Sequence, residues 1–391
     1  MGAIAAKPQS GKAATKATET APFGNEAAER FLAKAERAQL MMDAAAIPDE
    51  QIDLLRLRET GIPLVPGLSE PATAPQDNSA RLTRGQLVEV RSAHEIAATL
   101  DGDGKLDGVP FMPEMSVYCG KMFRVLRRAD ITCVEGHGLR RMNAAVFLDD
   151  VRCDGSAHDG CQRRCLIFWK EAWLRPVEFA NSPLPEGIHA ESSAITALID
   201  LPTRKNARYV CQSTELAAAT IDLPSWNLLP FISQVRDGEL SVTRFVQIVA
   251  LVLLNRLRTF LGFSELGRLT GPKSKSSQIG LGLRPGEWVR VKSHEEIKRT
   301  LNSAGRNRGL LFEPEMSDYS GQYFQMDYSI EKMIHEETGQ MLHLNNTVAL
   351  KGLTCQGLCA KSCPRSNYWF WREDWLERAP APSARTPQRQ A

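Results

Sequence analysis

The sequence predicts an α+β protein, in which two small β-barrel repeats with cysteine-rich, metal-binding ends are joined by a mainly helical middle segment. Three observations carry this. A long stretch of the chain recurs about two hundred residues on, each copy opens with apolar residues at alternate positions, and six of the nine cysteines fall in two matching clusters. The 391 residues are 43% apolar and 24% charged, as in chains that bury their own core. Forty-eight basic residues against 46 acidic ones leave a formal net charge of +2, which excludes a global electrostatic drive toward nucleic acid or anionic membrane.

Residues 1–24 are small and polar and read as a disordered tail without the apolar core of a secretory signal. Residues 25–58 read as helical, because Asn25 to Asp43 is rich in Ala, Glu, Lys and Leu. A Pro-containing linker follows over 59–81. Repeat 1 spans 82–178 and repeat 2 spans 283–379. Leu87-Val88-Glu89-Val90-Arg91-Ser92 matches Trp288-Val289-Arg290-Val291-Lys292-Ser293 at an offset of 201. Phe111-x-Pro113-Glu114-Met115-x-x-Tyr118 recurs as Phe312-x-Pro314-Glu315-Met316-x-x-Tyr319 at the same offset. Trp169 and Trp173 meet Trp371 and Trp375 at 202, so repeat 2 carries one extra residue in between. Val88 and Val90 share one face with Glu89 on the other, which is strand alternation. Short strands around glycine turns suit a small barrel.

Residues 179–282 form the helical middle and a linker. Ser241 is placed to N-cap, and Gly262 to C-cap, an apolar helix expected to be buried between the barrels. Its apolar run, Phe245 to Leu254, is too short to span a bilayer, so no membrane partner is expected. The final segment, 380–391, reads as a disordered tail.

Nine cysteines without an export signal point to a reducing, cytoplasmic setting, where clustered cysteines are metal ligands more often than disulfides. Counted back from Trp169 and Trp371, Cys161 and Cys363 coincide, as do Cys153 and Cys355. Twenty residues earlier, Cys133 coincides with His335. The candidate metal ligands are therefore Cys133, Cys153, Cys161 and Cys165 in repeat 1, and His335, Cys355, Cys359 and Cys363 in repeat 2. Thiolate and imidazole exchange as ligands of borderline-soft metals, but not as disulfide partners.

The opening Gly-x-x-Val-x-Val-[Arg/Lys]-Ser of each copy resembles the first strand of KOW-type, SH3-like barrels. The whole pattern is similar to uncharacterised bacterial cysteine-rich proteins. Cys359-x-x-x-Cys363-Pro364 resembles one piece of ferredoxin-type ligation. Cys153-Asp154-Gly155-Ser156-Ala157-His158 resembles the CDGSH iron–sulfur motif with an alanine inserted, which puts His158 out of register as a ligand. These likenesses imply an iron–sulfur cluster at each of two sites, in an electron-transfer or redox-accessory protein that serves a redox enzyme or another protein. Four-cysteine and three-cysteine-one-histidine sets also suit two structural Zn2+ ions. A zinc-held module for nucleic acid or a protein partner is the alternative, with Lys273, Lys275, Arg290, Lys292, Lys298 and Arg299 as phosphate contacts.

Several further residues read as structural. Trp169 and Trp173, like Trp371 and Trp375, are spaced for one face of a short helix that shields the cysteines, with Glu171 and Glu373 solvated. Cys211 reads as a lone buried thiol, and Cys119 is replaced by Ser320 in repeat 2. Leu100 to Gly108 reads as a Gly/Asp turn and not a calcium loop, and Glu114 and Glu315 sit in a repeated Pro-Glu-Met turn.

Overall fold

A strand of alternating burial starts each repeat-length segment. In β1 (Leu87–Val90), Val88 and Val90 are fully buried, and in β9 (Trp288–Val291) so are Val289 and Val291. The structure, a computed structural model, describes residues 81–177, 188–223, 229–263, 267–272, 280–357 and 363–381, all within one unit from Ala74 to Ala391. The helix expected at Asn25–Asp43, the N-terminal tail, residues 382–391 of the C-terminal tail, Lys273, Lys275 and Cys359 lie outside the described residues.

The architecture is mixed α+β, with many strands and few helices. Besides a two-residue hairpin of Lys105–Leu106 with Val109–Pro110, the first segment has β1, β2 (Met122–Arg128), β3 (Ile131–Val134), β4 (Gly138–Arg141), β5 (Ala145–Leu148), β6 (Trp169–Lys170) and β7 (Leu174–Pro176). Five of them form an antiparallel sheet in the order β6-β5-β2-β1-β7. Ile221–Asp222 forms β8, which adds to the β3–β4 hairpin. The second segment has β9, β10 (Tyr323–Ser329), β11 (Lys332–Ile334), β12 (Met341–His343), β13 (Thr347–Thr354), β14 (Tyr368–Arg372) and β15 (Leu376–Arg378). Its five-stranded sheet runs β14-β13-β10-β9-β15. The registers correspond: Val88 pairs with Phe123 and Val90 with Leu174, while Val289 pairs with Phe324 and Val291 with Leu376.

The same local chemistry closes both sheets. Ser92 and Glu95 form a capping box for α1 (Ala93–Ala97), as Ser293 and Glu296 do for the helix His294–Lys298. Asp101 accepts from the backbone of Asp103 and Lys105, and Asn302 from Ala304 and Arg306, so the Gly/Asp stretch is a side-chain-stabilised turn.

The tryptophans lie differently from the sequence expectation. Trp169 belongs to strand β6, and only Glu171–Trp173 turns, as a single 3-10 turn; Trp371 and Glu373–Trp375 behave alike. All four indoles are fully buried in the sheets' cores, which also take in Cys153 and Cys211 in the first segment and Cys355 in the second. Phe111 meets Trp173 edge-on at 5.4 Å, and Phe312 meets Trp375 at 5.1 Å. The indole N–H of Trp173 donates to the Thr99 hydroxyl at 3.0 Å, and that of Trp375 to the Thr300 hydroxyl at 2.9 Å. Glu171 and Glu373 are not solvated either. Glu171 accepts from the Leu82 N–H and Arg128, and Glu373 from the N–H groups of Leu281, Gly282 and Leu283. Each carboxylate thus anchors the chain where it enters its sheet.

Helix α2 (Ile188–Ile199) lies beside α1, and Glu191 accepts from the N–H of Ala93 at 2.7 Å. Helix α3 (Gln212–Ala219) docks through Gln212, whose side chain bonds both the N–H and the carbonyl of Phe168 at 2.8 Å. A fourth helix, Leu229–Arg236, precedes a longer one over Val242–Phe260 that is N-capped by Ser241 as expected. The long helix is not buried between sheets: Ile248 is buried, whereas Val246, Leu253, Leu257 and Phe260 are exposed. Among the described residues no helix is long and apolar enough to cross a membrane.

Truncating a sealed indole leaves a large hole in a packed sheet. Trp173→Ala should cost about 3–5 kcal/mol, whereas Phe260→Ala on the exposed helix end should cost little; urea unfolding curves compare the two.

Candidate functional site

The two segments exchange hairpins. From the first, the N–H of Cys133 on β3 donates to Cys363 Sγ at 3.1 Å, and Arg365 Nη1 donates to the Cys133 carbonyl at 2.7 Å. From the second, the N–H of Ile334 on β11 donates to Cys161 Sγ at 3.3 Å, and Arg163 Nη1 donates to the Ile334 carbonyl at 3.2 Å. Each Cys-x-Arg thus grips one residue of the opposite hairpin by its peptide groups.

This geometry places Ile334, not His335, opposite Cys133. The hairpin turns explain the slip. Val134 pairs with Gly138 across three residues, while the N–H of His335 bonds the Gln340 carbonyl across four. The extra residue lies in this turn, so counting back from Cys355 crosses it and lands one residue late. His335 instead serves its own turn: Nδ1 lies 3.1 Å from Thr338 Oγ1, and Nε2 lies 3.6 Å from Glu135.

Cys133 does not join its expected partners. Cys153, Cys161 and Cys165 line a cavity of about 30 Å³ together with Cys211, His158, Ile334 and Arg365. That volume holds one or two water-sized objects. The Cys153 loop is shaped by Gly155, which has φ +73° and where a Cβ would fall 2.1 Å from the Cys161 carbonyl oxygen. The glycine that resembles an iron–sulfur motif is therefore required by close backbone approach. The Cys153 N–H donates to the Cys165 carbonyl at 2.9 Å and closes the loop. Cys211 arrives from the start of α3, where the Thr214 hydroxyl accepts from its N–H at 3.0 Å.

Burial and the Glu114 carboxylate push the Cys153 thiol up, and its Sγ donates to Glu114 at 3.2 Å. Burial raises Cys161, and it pushes Cys211 up to about 12. His158 is fully enclosed, with Nδ1 3.1 Å from Glu114 and Nε2 3.0 Å from the Val210 carbonyl. Both nitrogens face acceptors, so the ring donates twice as a cation and has no lone pair for a metal. Its pKa is raised accordingly: burial opposes the charge, and the hydrogen bond and charge of Glu114 outweigh it.

Across the junction, Cys363 Sγ donates to Cys133 Sγ at 3.4 Å. That donation, with the Arg365 cation nearby, lowers the Cys133 pKa, while burial and the Cys133 charge raise Cys363. Cys355 Sγ accepts from the Gly357 N–H at 3.3 Å. The buried carboxylate of Glu336 joins the two sides. It accepts from Arg365 at 2.8 and 3.0 Å, Arg163 at 3.1 Å, Ser213 at 2.8 Å and the Glu135 N–H at 3.0 Å. Burial raises its pKa, but Arg365 and Arg163 outweigh that and hold it at about 2.

Among the described residues, no three His, Cys, Asp or Glu side chains converge on one ion position. The four sulfurs around the cavity would have to close in to share an ion. Sequence reasoning missed Cys211 because it belongs to no repeat; the signal available was only its departure from both clusters. Cys119 stands apart, its thiol pushed up to about 11 by burial and Glu191. Of the expected phosphate contacts, Arg290 pairs with Glu377, Lys292 donates to the Asp374 carbonyl and Lys298 pairs with Glu295. No known protein family, curated protein or solved structure matches the chain.

Glu336 makes a signed pH prediction. Its folded pKa lies below the ordinary 4.5, so its stabilisation is full above 4.5 and is lost as pH falls toward about 2. The shift corresponds to about 3 kcal/mol. Stability of the wild type should fall across that window, and Glu336→Gln should be weaker at neutral pH and flatter through it, as read from denaturant midpoints.

Proposed function

We propose that the protein is a cysteine-ligated metal protein whose ion sits in the cavity at the junction, and that the ion is structural. The observation that carries this is that Cys153, Cys161 and Cys165 line one small hole with Cys211 as a fourth sulfur. An all-sulfur donor set suits zinc, with Zn–S near 2.3 Å, and an opening of about 30 Å³ favours a single ion over an iron–sulfur cluster. The ion would tie the Cys153–Cys165 loop to the start of α3 and so present Arg163 and Ser213 to the second segment. All eight described cysteines are free thiols, which agrees with a reducing compartment such as the cytoplasm.

The strand order supports the SH3-like reading of each segment. In each segment five short antiparallel strands form one sheet, and the last of them returns beside β1 or β9. Pairing of Arg290, Lys292 and Lys298 within the chain weakens the nucleic-acid form of the module. Of the second expected site, Cys359 lies outside the described residues, so support rests on the first.

Anaerobically purified protein should be colourless and hold about one zinc at this group. Cys161→Ser and Cys211→Ser should each remove that equivalent, while Cys133→Ser and Cys119→Ser should keep it. Metal analysis and absorbance decide: brown protein with iron and acid-labile sulfide would favour the electron-transfer alternative, and metal-free protein would sink both.

A further inference from the structure

We propose that Cys133 and Cys363 form a reversible disulfide that locks the two segments together, made by exchange with a low-molecular-weight disulfide such as oxidised glutathione. The two sulfurs are already in contact at 3.4 Å. They come from different segments, Cys133 from the β3–β4 hairpin and Cys363 from the opposite cysteine loop. Both sides of the Cys133 peptide are held, its N–H by Cys363 Sγ and its carbonyl by Arg365. Closing the bond then needs small side-chain rotations and no approach of domains.

The two thiols have unequal roles. Cys133 is half-buried and Cys363 only 4% exposed, so Cys133 is the more open of the two to an incoming reagent. Cys133 is also the sulfur that accepts the shared proton, and Arg365 stands beside it. Its thiolate attacks one sulfur of the small disulfide; a mixed disulfide forms and one thiolate leaves. Cys363 then attacks Cys133 Sγ, the mixed disulfide breaks, and the second small thiolate leaves with the Cys363 proton. Two protein thiols are oxidised by two electrons, and one disulfide is reduced to two thiols. The cavity cysteines are poorer candidates, because burial raises Cys153, Cys161 and Cys211 and Cys153 donates to a carboxylate. None of the metal-cavity cysteines takes part, so this inference stands apart from the metal reading.

The test uses the full chain with oxidised glutathione or with dithiothreitol. Remaining thiols are blocked with iodoacetamide, and the protein is digested with trypsin without reduction. Trypsin releases residues 129–140 and residues 362–365, each with one cysteine. The expected result is the linked pair of peptides in the oxidised sample and its absence after reduction. Oxidised wild type should also melt on the order of 5 °C higher than reduced, a shift lost in Cys133→Ser and in Cys363→Ser. The proposal fails if both peptides carry the alkyl label after oxidation, or if Cys133 stops at the glutathione adduct. It also fails if Cys133→Ser releases an equivalent of zinc, which would make the pair metal ligands. Zinc held by the Cys211 group should be equal in oxidised and reduced protein, so a failure of that reading is seen separately.

Discussion

Glu336 is the carboxylate on which both halves of the molecule converge. It sits in the hairpin turn of the second segment and is 3% exposed. Arg163 reaches it from the first segment, Arg365 from the second and Ser213 from the helix between them. A buried charge is tolerable when its hydrogen bonds are filled, and here every partner comes from a different part of the chain. If the segments separated, Arg163 and Ser213 would leave it, although Arg365 would stay. The pair therefore specifies which surfaces meet more than it adds raw stability.

The reciprocal grip around it follows from peptide geometry. A cysteine sulfur accepts one backbone N–H, and an arginine two residues on donates to the carbonyl of that same residue. Side chains at the gripped position are then free to differ: Cys133 stands on one side and Ile334 on the other. This asymmetry makes the two junctions chemically unlike. Around Cys161 the fourth sulfur is Cys211, and the four sulfurs line one cavity. Around Cys363 the gripped residue itself brings a sulfur, and the two thiols share a proton. One fold motif thus yields a cavity lined by four sulfurs at one junction and two sulfurs in contact at the other.

The sheets beneath serve as supports for these loops. The indole pairs and their threonine partners fix the strands from which each cysteine loop departs. Glu171 and Glu373 hold the first residues of each segment against the same 3-10 turn. Loops on so packed a base can hold close backbone approaches such as Gly155 against Cys161.

Much of this was legible in the sequence by itself. Alternation at Val88 and Val90 determined a strand buried on one face, and Ser241 determined a helix start, because both depend on neighbours in the chain. The cysteine clusters, the turn at Asp101 and the poor fit of His158 as a ligand were equally local. What only the tertiary structure decided was partnership. Of the tryptophans spaced for one helical face, Trp169 and Trp371 became parts of strands, because sheet pairing with β5 and β13 outweighed helical spacing, and Trp173 and Trp375 fell in the 3-10 turns that follow. Cys133 left the cluster assigned to it, and His335 lost its role, because the inserted residue lies in a turn that no count along the chain can locate. Cys211 joined the cavity through the docking of α3 by Gln212, a contact between residues far apart in sequence. Local order is written in nearest neighbours, but the grouping of sulfurs depends on how two folded sheets and a helix come to share one buried carboxylate.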